Sequence, residues 1–254
     1  YETFNQEEDL EIIIDSVHAG YFRMSPLAKT DMPKAIVYFT TRGQLNGGGN
    51  DAAYQYIGAP GDNAAMDILG TTVLYLRSEE KGWVRLKTFW AELEPFAGYA
   101  LTQKEQPTFI LYPKLLNGEK TIQLTYTENG MQGDNLWANS YMAPLDITKF
   151  TPDDFTGNVT RTFYLYNSGS YNQWINDTSS VSRADVMPGR YYAVPVLAAR
   201  ALGAEAQTVI PPMQGVYMKA EEGGGEIKLS YEKHVWNNTQ TAQMNKPLRI
   251  VGRN

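Results

Sequence analysis

Along this chain, short stretches rich in β-branched and aromatic residues recur between turn residues, and a sustained i, i+3, i+4, i+7 repeat of apolar positions is almost absent. The clearest are Glu11–Val17, Ala35–Thr41, Thr71–Arg77, Trp83–Phe89, Gly98–Thr102, Thr108–Tyr112, Thr121–Thr127, Arg161–Tyr166, Tyr191–Val196, Gly215–Lys219 and Glu226–Trp236. In Thr121-Ile-Gln-Leu-Thr-Tyr126 and Glu226-Ile-Lys-Leu-Ser-Tyr231 polar and apolar residues alternate strictly, the pattern of a strand with one buried and one wet face. Extending the second alternation places His234 on one strand face with Glu232 and Trp236. Between the runs lie Asn46-Gly-Gly-Gly-Asn-Asp51, Asn117-Gly118, Glu128-Asn-Gly130, Asn167-Ser-Gly-Ser170 and Glu221-Glu-Gly-Gly-Gly225, all rich in residues that tolerate tight turns. Two short helices are expected, at Asp62–Leu69 and at Val196–Leu202 before Gly203.

Four blocks occur twice in the same order. Met24-Ser-Pro-Leu27 matches Met142-Ala-Pro-Leu145, and Tyr75-Leu76 with Trp83 matches Tyr164-Leu165 with Trp174. Pro95-Phe-Ala-Gly98 matches Pro212-Met-Gln-Gly215, and Ile122-Gln-Leu-Thr-Tyr126 matches Ile227-Lys-Leu-Ser-Tyr231. The offsets are 118, 89, 117 and 105 residues. A shared order at similar offsets predicts duplication. The expected architecture is all-β, two related antiparallel β-sandwich units of jelly-roll type in tandem, at 1–130 and 134–254, joined through the Gly-rich stretch Asn129–Asp134.

Composition narrows the function classes. Among 254 residues, 22 Lys and Arg oppose 28 Asp and Glu, a net charge of −6 that disfavours a nucleic-acid partner bound through bulk charge. No apolar run approaches the length of a membrane span. Cysteine is absent, which removes disulfides, thiolate nucleophiles and Cys-based zinc sites. The chain opens on Tyr1 with no initiator Met, basic n-region or apolar h-region, so a processed form or an excised segment is expected. Lys246-Pro-Leu-Arg-Ile-Val251 reads as half of a strand and adds to the expectation of a fragment.

Four stretches carry a family likeness: Asn135-Leu-Trp-Ala-Asn-Ser-Tyr-Met-Ala-Pro-Leu-Asp146, Phe163-Tyr-Leu-Tyr166 with Trp174, Tyr191-Tyr-Ala-Val-Pro-Val196, and Ile210-Pro-Pro-Met-Gln-Gly-Val-Tyr-Met-Lys-Ala220. They resemble an all-β repeat module of exported and cell-surface Bacteroidetes proteins, whose strands read like NLIGNPYPSPID, YTAIPV and IPSMQGFFVKA. The likeness runs from about Asn135 to Trp236 and is fainter at Gly20-Tyr-Phe-Arg-Met-Ser-Pro-Leu27 and Glu94-Pro-Phe-Ala-Gly98. Trp137-Ala138 stands where that motif has Ile-Gly, so a close backbone approach at that glycine is not expected to carry over. The resemblance implies a bacterial secreted or cell-surface location, in a longer chain with adjacent domains.

Catalytic signatures are missing. There is no Gly-x-Ser-x-Gly elbow, His-Glu-x-x-His helix, P-loop or dinucleotide fingerprint, and His18 and His234 lie in neither metal-ligand nor triad spacing. Asn46–Asp51 lacks the periodic acids of a calcium loop and reads as a loop tip. No cofactor, metal or catalytic residue is therefore assigned. Glycoside hydrolysis or lysis needs only two suitably spaced acids, and Glu79, Glu80, Glu92, Glu94, Asp134, Asp146, Asp153, Asp154, Asp177 and Asp185 supply too many to single out a pair. Glu79-Glu80 and Asp153-Asp154 read as solvated surface charge. Sugar contact calls for aromatic platforms beside amide side chains, and Tyr171, Asn172, Gln173 and Trp174 have that composition. Against this, Trp83 and Trp174 are matched between repeats, and matched aromatics are usually core. The leading expectation is a non-enzymatic structural, adhesive or glycan-contacting module, with a glycan or a surface protein as its partner. The rival is an acid-based glycosidase or lyase.

Overall fold

The computed structural model of the chain describes residues 10–14, 21–23, 33–42, 44–45, 52–68, 72–104, 108–167, 190–202 and 208–236. Its strands before residue 115 are β1 (Leu10–Ile14), β2 (Ala35–Thr40), β3 (Gln44–Leu45), β4 (Ala52–Ala53), β5 (Gln55–Ile57), β6 (Ala64–Asp67), β7 (Val73–Ser78), β8 (Gly82–Arg85), β9 (Trp90–Leu93), β10 (Tyr99–Thr102) and β11 (Thr108–Leu111). Those after it are β12 (Glu119–Leu124), β13 (Asp134–Ala138), β14 (Leu145–Asp146), β15 (Phe155–Val159), β16 (Thr162–Asn167), β17 (Arg190–Pro195), β18 (Val209–Ile210) and β19 (Gly215–Ser230). The helices are short, α1 (Val196–Leu202) and α2 (Tyr231–His234), so the fold is all-β and of sandwich type, as expected. Described strand pairs are antiparallel apart from β1 with β2.

Alternation in the sequence becomes alternation in burial. In β2, Ala35, Val37 and Phe39 are buried while Ile36, Tyr38 and Thr40 are half-exposed; in β16, Phe163 and Leu165 point into the core. Two expected elements differ. Asp62–Leu69 holds a strand and not a helix: Ala64 and Met66 are buried at a spacing of two, and β6 pairs with β9. Asp62 is tied instead to Lys114, whose carbonyl accepts its N–H at 2.8 Å, and this tertiary anchoring overrides the helical preference of the alanines. Glu226–Trp236 is a strand only as far as Ser230, whose hydroxyl caps α2 by accepting the Lys233 N–H at 3.4 Å. The expected α1 forms over Val196–Leu202.

Two four-stranded arrangements dominate, with the same order: β5-β10-β7-β8, and β13-β19-β16-β17. Their registers also correspond. Tyr99 lies between Ile57 and Leu76 in the first, and Val216 lies between Trp137 and Leu165 in the second. Tyr75-Leu76 and Tyr164-Leu165, matched in the sequence, therefore occupy matching positions. So do the Pro-x-x-Gly turns, where Phe96 (φ 64°) and Met213 (φ 60°) are both non-glycine residues in the left-handed region.

Contacts between the two sheets are reciprocal. The Ala138 N–H donates to the Phe96 carbonyl at 3.1 Å, and the Gly58 N–H donates to the Met213 carbonyl at 2.9 Å. Gly98 packs beneath Leu136, and Gly215 packs beneath Tyr56. Gly58 and Ala138 face each other so closely that a methyl at 58 would overlap the Ala138 methyl. A close approach thus does occur at Ala138, with the glycine supplied by the opposing strand. The last repeated block adds a further link: Ile122 and Ile227 are direct cross-strand partners, because β12 pairs with the second half of β19. Met24–Leu27 lies outside the described residues.

Candidate functional site

An aromatic cluster with an arginine forms where the two sheets meet, assembled from six strands. In the β7–β8 hairpin Arg77 and Trp83 are register partners, and the guanidinium lies 5.1 Å from the indole centroid. In the β16–β17 pair Tyr166 and Tyr191 are partners with centroids 4.9 Å apart. Tyr217, from β19, lies against Tyr191 at 5.6 Å and beneath Arg77 at 5.7 Å. Tyr56, from β5, joins the two groups. It stacks on Trp83 (5.8 Å, 15°) and on Tyr191 (6.1 Å, 22°), and meets Tyr166 and Tyr217 at 4.8 and 5.5 Å. The side chain of Tyr56 fits here because Gly215 has none: a Cβ there would come within 2.7 Å of the Tyr56 Cβ.

The cluster reaches solvent through Trp83, 38% exposed, and Tyr191, 47% exposed. The Tyr191 hydroxyl donates to that of Tyr56 at 2.9 Å. Burial pushes the hydroxyls of Tyr191, Tyr217 and Tyr166 above the ordinary tyrosine range, reinforced by the neighbouring Tyr56. They remain neutral donors and acceptors at physiological pH. The guanidinium of Arg77 is held from the side by the Asp134 carbonyl at 3.3 Å.

Tyr171, Asn172, Gln173 and Trp174 lie outside the described residues, in the connection from Asn167 to Arg190, as do His18, Asn46–Asp51, Asp177 and Asp185. Trp83, expected in the core through its repeat match, is instead part of the exposed rim; its register counterpart in the second sheet is Tyr191, since Trp83 faces Arg77 as Tyr191 faces Tyr166. The sequence placed Arg77, Trp83, Tyr166 and Tyr191 in strands, but their pairing and the place of Tyr56 come only with the fold.

Two acids expected at the surface are buried, and their roles are structural. Glu79 (7% exposed) accepts hydrogen bonds from the Thr127 and Gly133 N–H groups, both at 2.9 Å, and from the Thr127 hydroxyl at 2.6 Å. Burial alone would raise its pKa, but these bonds outweigh it and lower the value. Asp154 takes the Thr151 N–H at 2.7 Å and Lys233 at 2.5 Å; burial opposes its ionisation, and Lys233 and Thr151 prevail. Neither burial is legible in the sequence, because a loop folding back over a carboxylate leaves no local signature. Asp146, also buried, caps a 3-10 turn through Thr148. Glu80, Glu92, Glu94, Asp134 and Asp153 are exposed.

His234 sits in α2 and not on a strand face. It is fully buried, stacks on Phe150 at 4.0 Å, and accepts the Ser230 N–H on Nδ1 at 2.9 Å. Its pKa is lowered chiefly by burial, against the opposing pull of Asp154. Its partners make it a packing residue.

A shallow cavity of about 230 Å³ lies elsewhere, lined by Phe96, Glu119, Lys120 and Tyr141, and the Tyr141 hydroxyl there is committed to the Gly118 carbonyl at 2.6 Å. Among the described residues no group of three or more His, Asp or Glu is placed to hold a metal, and no helix is long and apolar enough to cross a membrane.

No protein-family model matches the chain, and no solved structure matches it. Among curated proteins it is similar to the minor fimbrium subunit Mfa5 of Porphyromonas gingivalis, with 30% identity over 158 residues. The match covers 58% of this chain and 12% of that relative. The sequence is therefore related to a segment of a surface protein from a Bacteroidetes organism.

Proposed function

We propose that this chain is a non-catalytic β-sandwich module of a longer bacterial cell-surface protein, serving assembly or adhesion. The observation that carries the reading is the similarity to a segment of a fimbrium subunit. The buried acids Glu79, Asp146 and Asp154 each hold a local turn or loop, a use of carboxylates that fits a scaffold. The module is built from two copies of one ancestral β unit. Matching strand order, matching registers, equal backbone strain at Phe96 and Met213, and reciprocal contacts at Gly58 and Ala138 all support that origin. Such reciprocity is what a self-complementary dimer leaves behind when its halves are fused into one chain. Its partner is a surface protein or a glycan, with Tyr171, Asn172, Gln173 and Trp174 as the candidate contact residues by composition.

The test is labelling of intact cells that make the parent protein, with antibody raised against this module. Labelling before permeabilisation is the expected result. Labelling only after permeabilisation would refute a surface role.

A further inference from the structure

β19 stops at Ser230 and α2 follows at once. Just beyond α2, Val235 bridges to Leu145 and the Trp236 N–H donates to the Pro144 carbonyl at 2.8 Å. The residue that holds this turn down is His234, fully buried and stacked face to face on Phe150 at 4.0 Å and 8°. Its Nδ1 accepts the Ser230 N–H at 2.9 Å, so the proton of the neutral ring sits on Nε2. Nε2 lies 3.4 Å from Asp154 Oδ2 and completes no hydrogen bond among the described residues.

A second proton has no place in this pocket. It would go on Nδ1, where the Ser230 N–H already points, and two donors would then face each other across 2.9 Å. That N–H belongs to a residue paired with Glu119 in the β12–β19 ladder, so it is not free to turn away. Asp154 is the group that could compensate, but its oxygens are already engaged. Lys233 Nζ lies 2.6 Å from Oδ1 and 2.5 Å from Oδ2, and the Thr151 N–H and hydroxyl reach Oδ2 at 2.7 and 2.9 Å. Lys233 also sets a second positive charge beside the ring. Of the other charged groups on the elements packed here, Lys149 and Glu232 are exposed and Asp146 is committed to Thr148. Burial holds the His234 pKa below the ordinary imidazole value, with Lys233 adding to the depression and Asp154 opposing it.

We propose that His234 is an acid-sensitive latch: on protonation the imidazolium leaves its pocket, α2 opens, and Val235 and Trp236 come away from Leu145 and Pro144 while the sheets stay folded. The sign follows from linkage. In the open state His234 titrates as a free imidazole, near pH 6.5, and so takes up a proton that the closed state refuses. Above that value the latch is closed and indifferent to pH. Below it, down to the value of the closed state, each unit of acidification favours opening up to about tenfold.

The experiment uses the full 254-residue chain, which has two histidines, so His18→Asn leaves His234 as its one imidazole. Between pH 7.5 and 5 most carboxylates stay ionised, and the window reports the histidine. On that background, NMR of labelled histidine follows the ring, and amide hydrogen exchange, corrected for its intrinsic pH dependence, follows opening. The ring is expected to titrate below the free-imidazole value. Opening read at the Val235 and Trp236 amides should rise up to about tenfold from pH 6.5 to 5.5, with Phe163 and Leu165 of β16 keeping their protection. His234→Asn, whose side-chain oxygen can still accept the Ser230 N–H but takes up no proton, should abolish this pH dependence, with His234→Gln standing in if it does not fold. If neither folds, the titration of the unsubstituted ring decides. The proposal is overturned if His234 titrates at or above the free value, since acid would then tighten the turn, or if exchange at Val235 and Trp236 does not rise in acid. It is equally overturned if β16 opens alongside them, or if a folded variant at 234 keeps the pH dependence.

Discussion

If Gly58 and Ala138 are counterparts facing each other across a fused dimer interface, the single methyl between them should be movable from one side to the other. Gly58→Ala puts a second methyl where the Ala138 methyl already sits, with the Ala97 carbonyl at 3.3 Å limiting retreat. Backbone conformation at 58 does not demand glycine, since its φ is not in the left-handed region, so the cost is steric. Overpacking at a rigid site costs about 3 kcal/mol at the upper end of its usual range. Ala138→Gly removes a fully buried methyl and adds backbone freedom to the unfolded chain, for a loss of about 1 kcal/mol. Additive effects would leave the double variant about 4 kcal/mol below wild type. The swap reading expects it within about 1 kcal/mol, a coupling of about 3 kcal/mol between the two positions.

The assay is equilibrium unfolding in urea for all four proteins, with calorimetric melting as a check. At about 2–4 °C per kcal/mol for a chain of this size, Gly58→Ala alone should melt roughly 6–12 °C early and the double variant close to wild type. A double variant no more stable than Gly58→Ala would refute the reasoning, because the methyl would then not be exchangeable across the interface.

Further expectations concern buried polar groups. Glu79→Gln should cost about 2 kcal/mol near neutral pH, since it removes the charge that Thr127 and Gly133 stabilise. The folded pKa of Glu79 is depressed, so its contribution is full above the unfolded carboxylate value and is lost as pH falls through the folded one. Unfolding curves of wild type and variant should converge in acid, and a gap of constant size down to low pH would show that the charge is not its source. Trp137 is buried against Phe163 with its Nε1 lacking a hydrogen-bond partner among the described residues. Trp137→Phe should therefore cost only lost volume, about 1–2 kcal/mol, against about 3–5 kcal/mol for Trp137→Ala; equal losses in chemical denaturation would contradict this.

Strands with one buried face were legible because burial on alternate positions writes itself into the residues: β2, β12 and β16 follow their patterns closely. Matched blocks revealed corresponding places, including the Pro95–Gly98 and Pro212–Gly215 turns, without revealing that each turn bonds to the other sheet. Asp62–Leu69 misled because alanine favours helix locally while the pairing of β6 with β9 is decided by residues far away in sequence. Glu79 and Asp154 looked like solvated charge for the same reason: the backbone N–H groups that hold Glu79 come 48 and 54 residues later, and the lysine that pairs with Asp154 comes 79 later. Of the aromatic cluster only strand membership was legible: Arg77, Trp83, Tyr166, Tyr191 and Tyr217 fall in expected strands, whereas the Arg77–Trp83 and Tyr166–Tyr191 pairings and the arrival of Tyr56 are set by pairing and packing between segments.

β19 is sixteen residues long and pairs with β12, β13, β15 and β16, all of which precede it. During synthesis those four partners emerge first, and of them only β16 finds another strand of its sheet, β17, before β19 arrives. The hub comes last. Until Gly215–Ser230 is delivered, the second sheet stays an open set of edges, prone to wrong pairing and in need of protection. Completion of that sheet is therefore a late and long-range event, set by one strand that four others wait for.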